Sequence, residues 1–257
     1  MKTIAFYNQK GGVGKTSLAV NYAYLCARAG QRTLLWDLDP QASATYIMRV
    51  NEKLAPKTKD ILAKSFELED LAVRSNFENL HVVPAATRLR LLSEKIFESS
   101  KSSEVIERAT RSARSTFDIV VIDSPPSLNA LSDSVLGAID LLCIPLQPSA
   151  LSIHSLDSLT THLGDDSLLS RSVAIYNMVD MRRITHRRAV EEREASKKIK
   201  LLEVSIPYSA DMEKMATDRN PFFVLQSRSK VGPALESMYQ ELTKLLYLST
   251  KQGKSSK

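Results

Sequence analysis

Gln9-Lys10-Gly11-Gly12-Val13-Gly14-Lys15-Thr16-Ser17 decides how this chain is read, because of what stands on either side of it. Ahead of it, residues 2–8 form an apolar run of strand length. Behind it, residues 16–29 carry Leu18, Tyr22, Leu25, Cys26 and Ala29 at helical spacing, with Gly30 as terminator. A strand, a glycine-rich turn and a helix in that order gather backbone N–H groups around one point, and the helix adds its positive end, so the unit suits a phosphate. Lys15 is placed to reach the β and γ phosphates of a nucleotide, and the Thr16 hydroxyl to bind Mg²⁺. The predicted nucleotide contacts are therefore Gly11, Gly12, Val13, Gly14, Lys15, Thr16 and Ser17. A plain glycine turn before a helix is the simpler alternative, and the Gly-Lys-Thr ending argues against it.

Outward from this unit the alternation repeats. Residues 32–39, 80–84, 117–123, 139–145, 173–179 and 201–206 read as strands, and residues 152–163 and 185–199 as helices. Ile119, Val120, Val121 and Ile122 follow one another, as a strand buried on both faces requires. The expected fold is α/β: a single doubly wound, mostly parallel sheet flanked by helices, with ligands beyond the carboxyl ends of the strands. We expect one domain over residues 1–250 and a flexible basic tail over residues 251–257.

Hydrophobic residues at 43% and charged residues at 25% match soluble globular chains. The longest apolar runs, 119–122 and 141–145, fall far short of the roughly 18 residues of a membrane span. Met1 leads straight into a strand with no apolar leader, so a cytoplasmic location is expected. Cys26 and Cys143 sit in a helical and a strand pattern and read as buried thiols. The net charge of +6 suggests a polyanionic partner.

Two further segments carry acids. Asp37-Leu38-Asp39-Pro40 ends one strand with two carboxylates on one face, and Asp123 ends the buried run 119–122, where a charge is costly unless a partner such as a metal offsets it. Turn-forming aspartates before a proline are the alternative for the first pair.

The glycine loop departs from the general pattern G-x-x-x-x-G-K-[ST], with Gln9 at the first glycine position and Lys10 ahead of the glycines. In this the sequence resembles the deviant Walker A proteins, the ParA/MinD superfamily, whose signature is Lys-Gly-Gly-x-Gly-Lys-Thr. Asn8 through Thr16 is similar to the ParA/Soj partition ATPases, whereas the MinD branch usually has glycine where Gln9 stands. The resemblance implies a P-loop ATPase using ATP and Mg²⁺, with Lys10, Lys15 and Asp39 as catalytic residues. By it, Asp39 positions the attacking water, Asp37 supports the Mg²⁺ shell with Thr16, and Asp123 acts on the metal through its water. Lys10 reaches across a homodimer interface to the partner's phosphates. Asn177 and Pro207 fall where the family holds adenine, although a loop-capping role suits Asn177 equally.

Between residues 181 and 200, eight basic residues stand against three acids. Arg182, Arg183 and Arg187 open this stretch, and Arg219, Arg228 and Lys230 could extend it into a surface for DNA phosphates, read without base contacts. A solvated helix face is the alternative. The resemblance then implies a nucleoid-associated positioning ATPase: an ATP-bound homodimer on non-specific DNA, with hydrolysis stimulated by a ParB-like or cargo-adaptor protein. The competing expectation is a MinD-like, membrane-cycling ATPase. Leu235, Met238, Leu242, Leu245 and Leu246 would then form a lipid-facing helix rather than pack on the core, and Gln9 and the polar tail favour packing, with no membrane partner.

Overall fold

A computed structural model describes residues 1–63, 65–99, 104–164, 166–192, 198–225 and 229–252, the last four by backbone only. The strands are β1 (Lys2–Phe6), β2 (Thr33–Asp37), β3 (Val73–Arg74), β4 (Leu80–Val83), β5 (Ile119–Asp123), β6 (Leu141–Leu146), β7 (Ser172–Tyr176) and β8 (Lys200–Leu201). They form one sheet in the order β3-β4-β2-β5-β1-β6-β7-β8, parallel throughout except where β3 runs against β4. The helices in chain order are α1 (Lys15–Arg28), α2 (Ser43–Ile47), α3 (Thr58–Leu62), α4 (Leu92–Glu98), α5 (Val105–Ser112), α6 (Ala130–Ala138), α7 (Ala150–Leu163), α8 (Asp166–Ser170), α9 (Ile184–Glu192), α10 (Ala210–Asp218) and α11 (Val231–Gln252).

The central strands are buried on both faces because helices cover both. Ile4 and Phe6 of β1 and Ile119 and Val121 of β5 face Leu18, Tyr22 and Leu25 of α1 and Leu235, Met238 and Leu242 of α11. The alternate residues Ala5, Val120 and Ile122 face Leu131 and Val135 of α6 and Leu156 and Leu159 of α7. Each such side chain removed from water contributes about 1.5–3 kcal/mol before entropy is counted. The doubly wound sheet expected from the alternation is the one observed.

Three expectations need correction. Residues 201–206 do not continue as a strand: β8 stops at Leu201, and Glu241 of α11 accepts the Glu203 and Val204 N–H groups at 2.8 and 3.0 Å, withdrawing them from the ladder. Residues 38 and 39 leave β2 to form the loop beyond it. Lys251 and Gln252, assigned above to the tail, belong to α11, and residues 253–257 lie outside the described residues. Leu235, Met238, Leu242 and Leu246 are buried to 0% exposure, so the terminal helix packs on the core rather than presenting an apolar face to lipid. Among the described residues no helix is long and apolar enough to cross a membrane.

Candidate functional site

Sheet register assembles the site. Phe6 lies opposite Asp123 between β1 and β5, and Asp37 lies opposite Asp123 between β2 and β5, so the chain leaves β1 into the glycine loop directly beside two carboxylates. The loop then turns through Gly12 (φ 73°) and Gly14 (φ 88°), both left-handed, before α1 starts at Lys15. Gly14 is doubly required: a β-carbon there would sit 2.2 Å from the Asn177 Nδ2 atom. Around Gly11 and Gly12 the corresponding space is open.

Two buried asparagines tie the loop to the sheet. Asn8 donates from Nδ2 to the Pro145 carbonyl (2.7 Å) and accepts the Lys10 N–H (2.9 Å). Asn177, just past β7, donates from Nδ2 to the Val13 carbonyl (2.8 Å). The predicted base-binding Asn177 thus first of all anchors the phosphate loop, closer to the capping alternative. Lys15 is buried and folds back to donate to the Lys10 carbonyl at 3.0 Å. Burial lowers its pKa, while Asp123 and Asp39 pull it upward. Thr16 and Ser17 are half-buried at the head of α1.

The carboxylates differ in what satisfies them. Both Asp37 oxygens are committed: Oδ2 accepts the Thr45 N–H (2.8 Å) and hydroxyl (2.7 Å), and Oδ1 accepts the Asp39 N–H (3.1 Å). Thr45 in turn accepts the Ala85 N–H at 2.8 Å. Through these bonds Asp37 holds the turn that carries Asp39 and α2. Asp39 is half-buried and accepts the Gln41 N–H at 2.9 Å. Asp123 has 0% exposure, and neither of its oxygens has a hydrogen-bond partner of normal geometry. Burial raises its pKa well above the usual carboxylate range, Asp37 raises it further, and the nearby Thr16 hydroxyl and Lys15 ammonium oppose the shift. An orphaned buried carboxylate beside a threonine hydroxyl and a phosphate loop fits Mg²⁺, which takes one or two protein ligands and fills its shell with water and phosphate oxygens.

Beside Ser17 opens a cavity of about 200 Å³ lined by Ile47, Asn177, Met178, Pro207, Tyr208, Met212 and Met215. Pro207 is brought there by a bridge to Val179, flanked by Val179 N–H to Ile206 O (3.0 Å) and Tyr208 N–H to Val179 O (2.9 Å). A flat apolar slot with a few polar groups, next to a phosphate loop, suits a nucleobase. Met212 and Met215 of α10 were not singled out in the sequence, where apolar residues on a helix read as core.

The remaining cations are scattered in role. Lys10 donates from Nζ to the Leu151 carbonyl in α7 of its own chain. Arg182, Arg183 and Arg187 are exposed at the start of α9, Arg182 forking onto Asp180 at 2.8 and 2.9 Å. Lys230 is exposed, and Arg228 lies outside the described residues. Arg219 does not stand free: its Nε donates to the Tyr46 carbonyl (2.9 Å) and its guanidinium lies 4.4 Å over the Tyr46 ring.

A family model described as AAA domain matches residues 1–167. The sporulation initiation inhibitor protein Soj of Bacillus subtilis is 29% identical over 237 residues, which cover 89% of this chain and 93% of Soj. The chromosome partitioning protein ParA of Myxococcus xanthus is 28% identical over 249 residues, covering 95% of this chain and 88% of that protein. Among solved structures, an ATP complex of Cyanothece McdA superposes with a TM-score of 0.81 at 22% identity, over 96% of both chains.

Proposed function

Since the chain belongs to the ParA/MinD family of positioning ATPases, we propose that it hydrolyses ATP slowly as a nucleotide-gated homodimer, binds DNA without sequence preference while ATP is held, and is reset by a partner protein. The observation that carries this is Asp123, a fully buried carboxylate without a hydrogen-bond partner, set against the glycine loop and Lys15. The ionised form of a strand-end acid so placed is costly unless a cation meets it.

The loop amides of residues 11–16 and Lys15 grip the triphosphate, and the slot bounded by Met178, Pro207 and Met212 takes the adenine. Thr16 and Asp123 would hold Mg²⁺, which would supply the charge neutralisation that phosphoryl transfer mainly requires. Asp39 orients the attacking water from a turn that Asp37 and Thr45 hold in place. Lys10, which here rests on the Leu151 carbonyl, has to leave that contact to reach a partner's phosphates, which makes hydrolysis depend on dimer closure.

The exposed Arg182, Arg183 and Arg187 support a phosphate-reading surface on the chain, with Lys230 and Arg228 as further members. A ParB-like or cargo-adaptor protein is the stimulating partner, and a nucleoid-associated cytoplasmic location follows. The test is a DNA-binding titration with ATP, with ADP and without nucleotide, at two salt concentrations. Binding that requires ATP and weakens steeply with salt is expected. Equal binding in all three nucleotide states would contradict the gating.

A further inference from the structure

The slot that suits the base has walls from two helices. Ile47 comes from α2, which follows the Asp39 loop, and Met212, Met215 and Ala216 come from α10. A second cavity of about 420 Å³ opens on the far side of the same pair, lined by Gln41, Ala42, Tyr46 and Arg219 together with Ile47 and Ala216. Helices standing between two cavities need something else to fix their separation.

Two arginines supply it, each capping the other's helix. Arg49, just past α2, donates from Nε to the Arg219 carbonyl (2.9 Å) and from Nη2 to the Asp218 carbonyl (2.8 Å), covering the last turn of α10. Arg219, the C-cap of α10, donates from Nε to the Tyr46 carbonyl (2.9 Å) and stacks on the Tyr46 ring, covering the end of α2. Both residues are left-handed, with φ of 58° and 50°, a conformation that arginine adopts only when its surroundings compensate the cost. A planar guanidinium can take two carbonyls at once, as Arg49 does; the Tyr46 carbonyl also accepts the Arg49 N–H (3.1 Å) and the Asp218 carbonyl the Asn220 side-chain amide (2.9 Å).

We propose that Arg219 is a positioning residue of the nucleotide site rather than a DNA contact: with Arg49 it sets the width of the base slot and ties α10 to the helix that carries the Asp39 loop. Through this clamp, a base seated against Met212 and Ile47 bears on the turn held by Asp37 and Thr45. The inference rests on the reading of the site as an ATP site.

The experiment compares MgATP, MgGTP and magnesium tripolyphosphate, which has no base, by calorimetry on the full chain and on Arg219→Ala, Arg219→Lys, Arg49→Lys and the Arg49→Lys/Arg219→Lys double variant. DNA binding is measured alongside with ATP saturating. Loss of the bond to the Tyr46 carbonyl and of the stack should weaken ATP by about tenfold in both Arg219 variants, narrow the preference over GTP, and leave tripolyphosphate unchanged. With ATP saturating, Arg219→Ala and Arg219→Lys should both retain wild-type DNA binding, and a loss in Arg219→Ala that Arg219→Lys restores would make Arg219 a DNA contact and overturn the proposal. The double variant should be no weaker than the weaker single, since one clamp is broken either way. Wild-type ATP affinity in both Arg219 variants, or an equal loss for ATP and tripolyphosphate, would overturn this inference alone. A wild-type chain with no affinity for ATP would overturn the nucleotide reading with it.

Discussion

Asp123→Asn should make the protein more stable and useless at once. Asp123 is fully buried, its oxygens lack hydrogen-bond partners of normal geometry, and Asp37 faces it across the β2–β5 ladder, so its ionised form is held against burial and a second acid, with the Thr16 hydroxyl and the Lys15 ammonium only partly compensating. Asparagine has the same shape and no charge. Removing an uncompensated buried carboxylate should stabilise the fold by roughly 1–3 kcal/mol at neutral pH. In a chain of this size that raises Tm by about 2–10 °C. The folded-state pKa of Asp123 is raised, so the wild type loses stability as pH climbs from the unfolded value, about 3.9, through the folded one. The gain from asparagine should accordingly be small in acid and grow as pH rises toward and through the folded-state pKa. Thermal melts with chelator between pH 4 and 8 measure this. Adding Mg²⁺ and ATP should reverse the ranking, since ligand at about a hundredfold excess over Kd stabilises the wild type by about 2.7 kcal/mol and the variant by much less. A variant that melts lower at neutral pH with chelator, or gains equally from Mg-ATP, would refute the reading of Asp123 as a charge awaiting a cation.

Other outcomes follow from the same geometry. Gly14→Ala combines a left-handed φ with a β-carbon 2.2 Å from Asn177 Nδ2, and should cost about 2–4 kcal/mol in urea unfolding and abolish nucleotide binding. Gly12→Ala, strained at φ 73° with open space around it, should unfold less readily than Gly14→Ala. Asp39→Ala should leave ATP-dependent dimers intact in size-exclusion chromatography while slowing phosphate release by about a hundredfold or more; normal turnover would remove Asp39 from the reaction. Replacing Arg182, Arg183 and Arg187 together by alanine should weaken DNA binding on every sequence and flatten its salt dependence by up to about three units of slope, and an unchanged slope would place the surface elsewhere.

What was legible in the sequence is what short-range pattern controls. The run of Ile119 to Ile122, the Gly-Lys-Thr turn and the spacing of Leu18, Tyr22 and Leu25 each determine a local conformation, so the strand-loop-helix unit, the parallel sheet and Asp123 at the strand end were readable. What escaped depends on partners distant in the chain. The Val73–Arg74 strand exists only because β4 lies beside it, and the strand after Leu201 is cut short by Glu241, some forty positions on. Asp37 and Asp39 look alike in sequence, and what tells them apart is the buried end of β2 and the Thr45 N–H and hydroxyl that meet Asp37 alone. Nor does anything in the sequence around Arg219 distinguish an arginine capping another helix from one facing solvent.

The central claim is that residues 9–17 grip the phosphates of Mg-ATP. Its most direct measurement is equilibrium titration of ATP onto the wild type and Lys15→Ala, with Mg²⁺ and again with EDTA. Saturable binding of one ATP per chain is expected, weakened by EDTA and abolished by Lys15→Ala. Undiminished affinity in Lys15→Ala would contradict it.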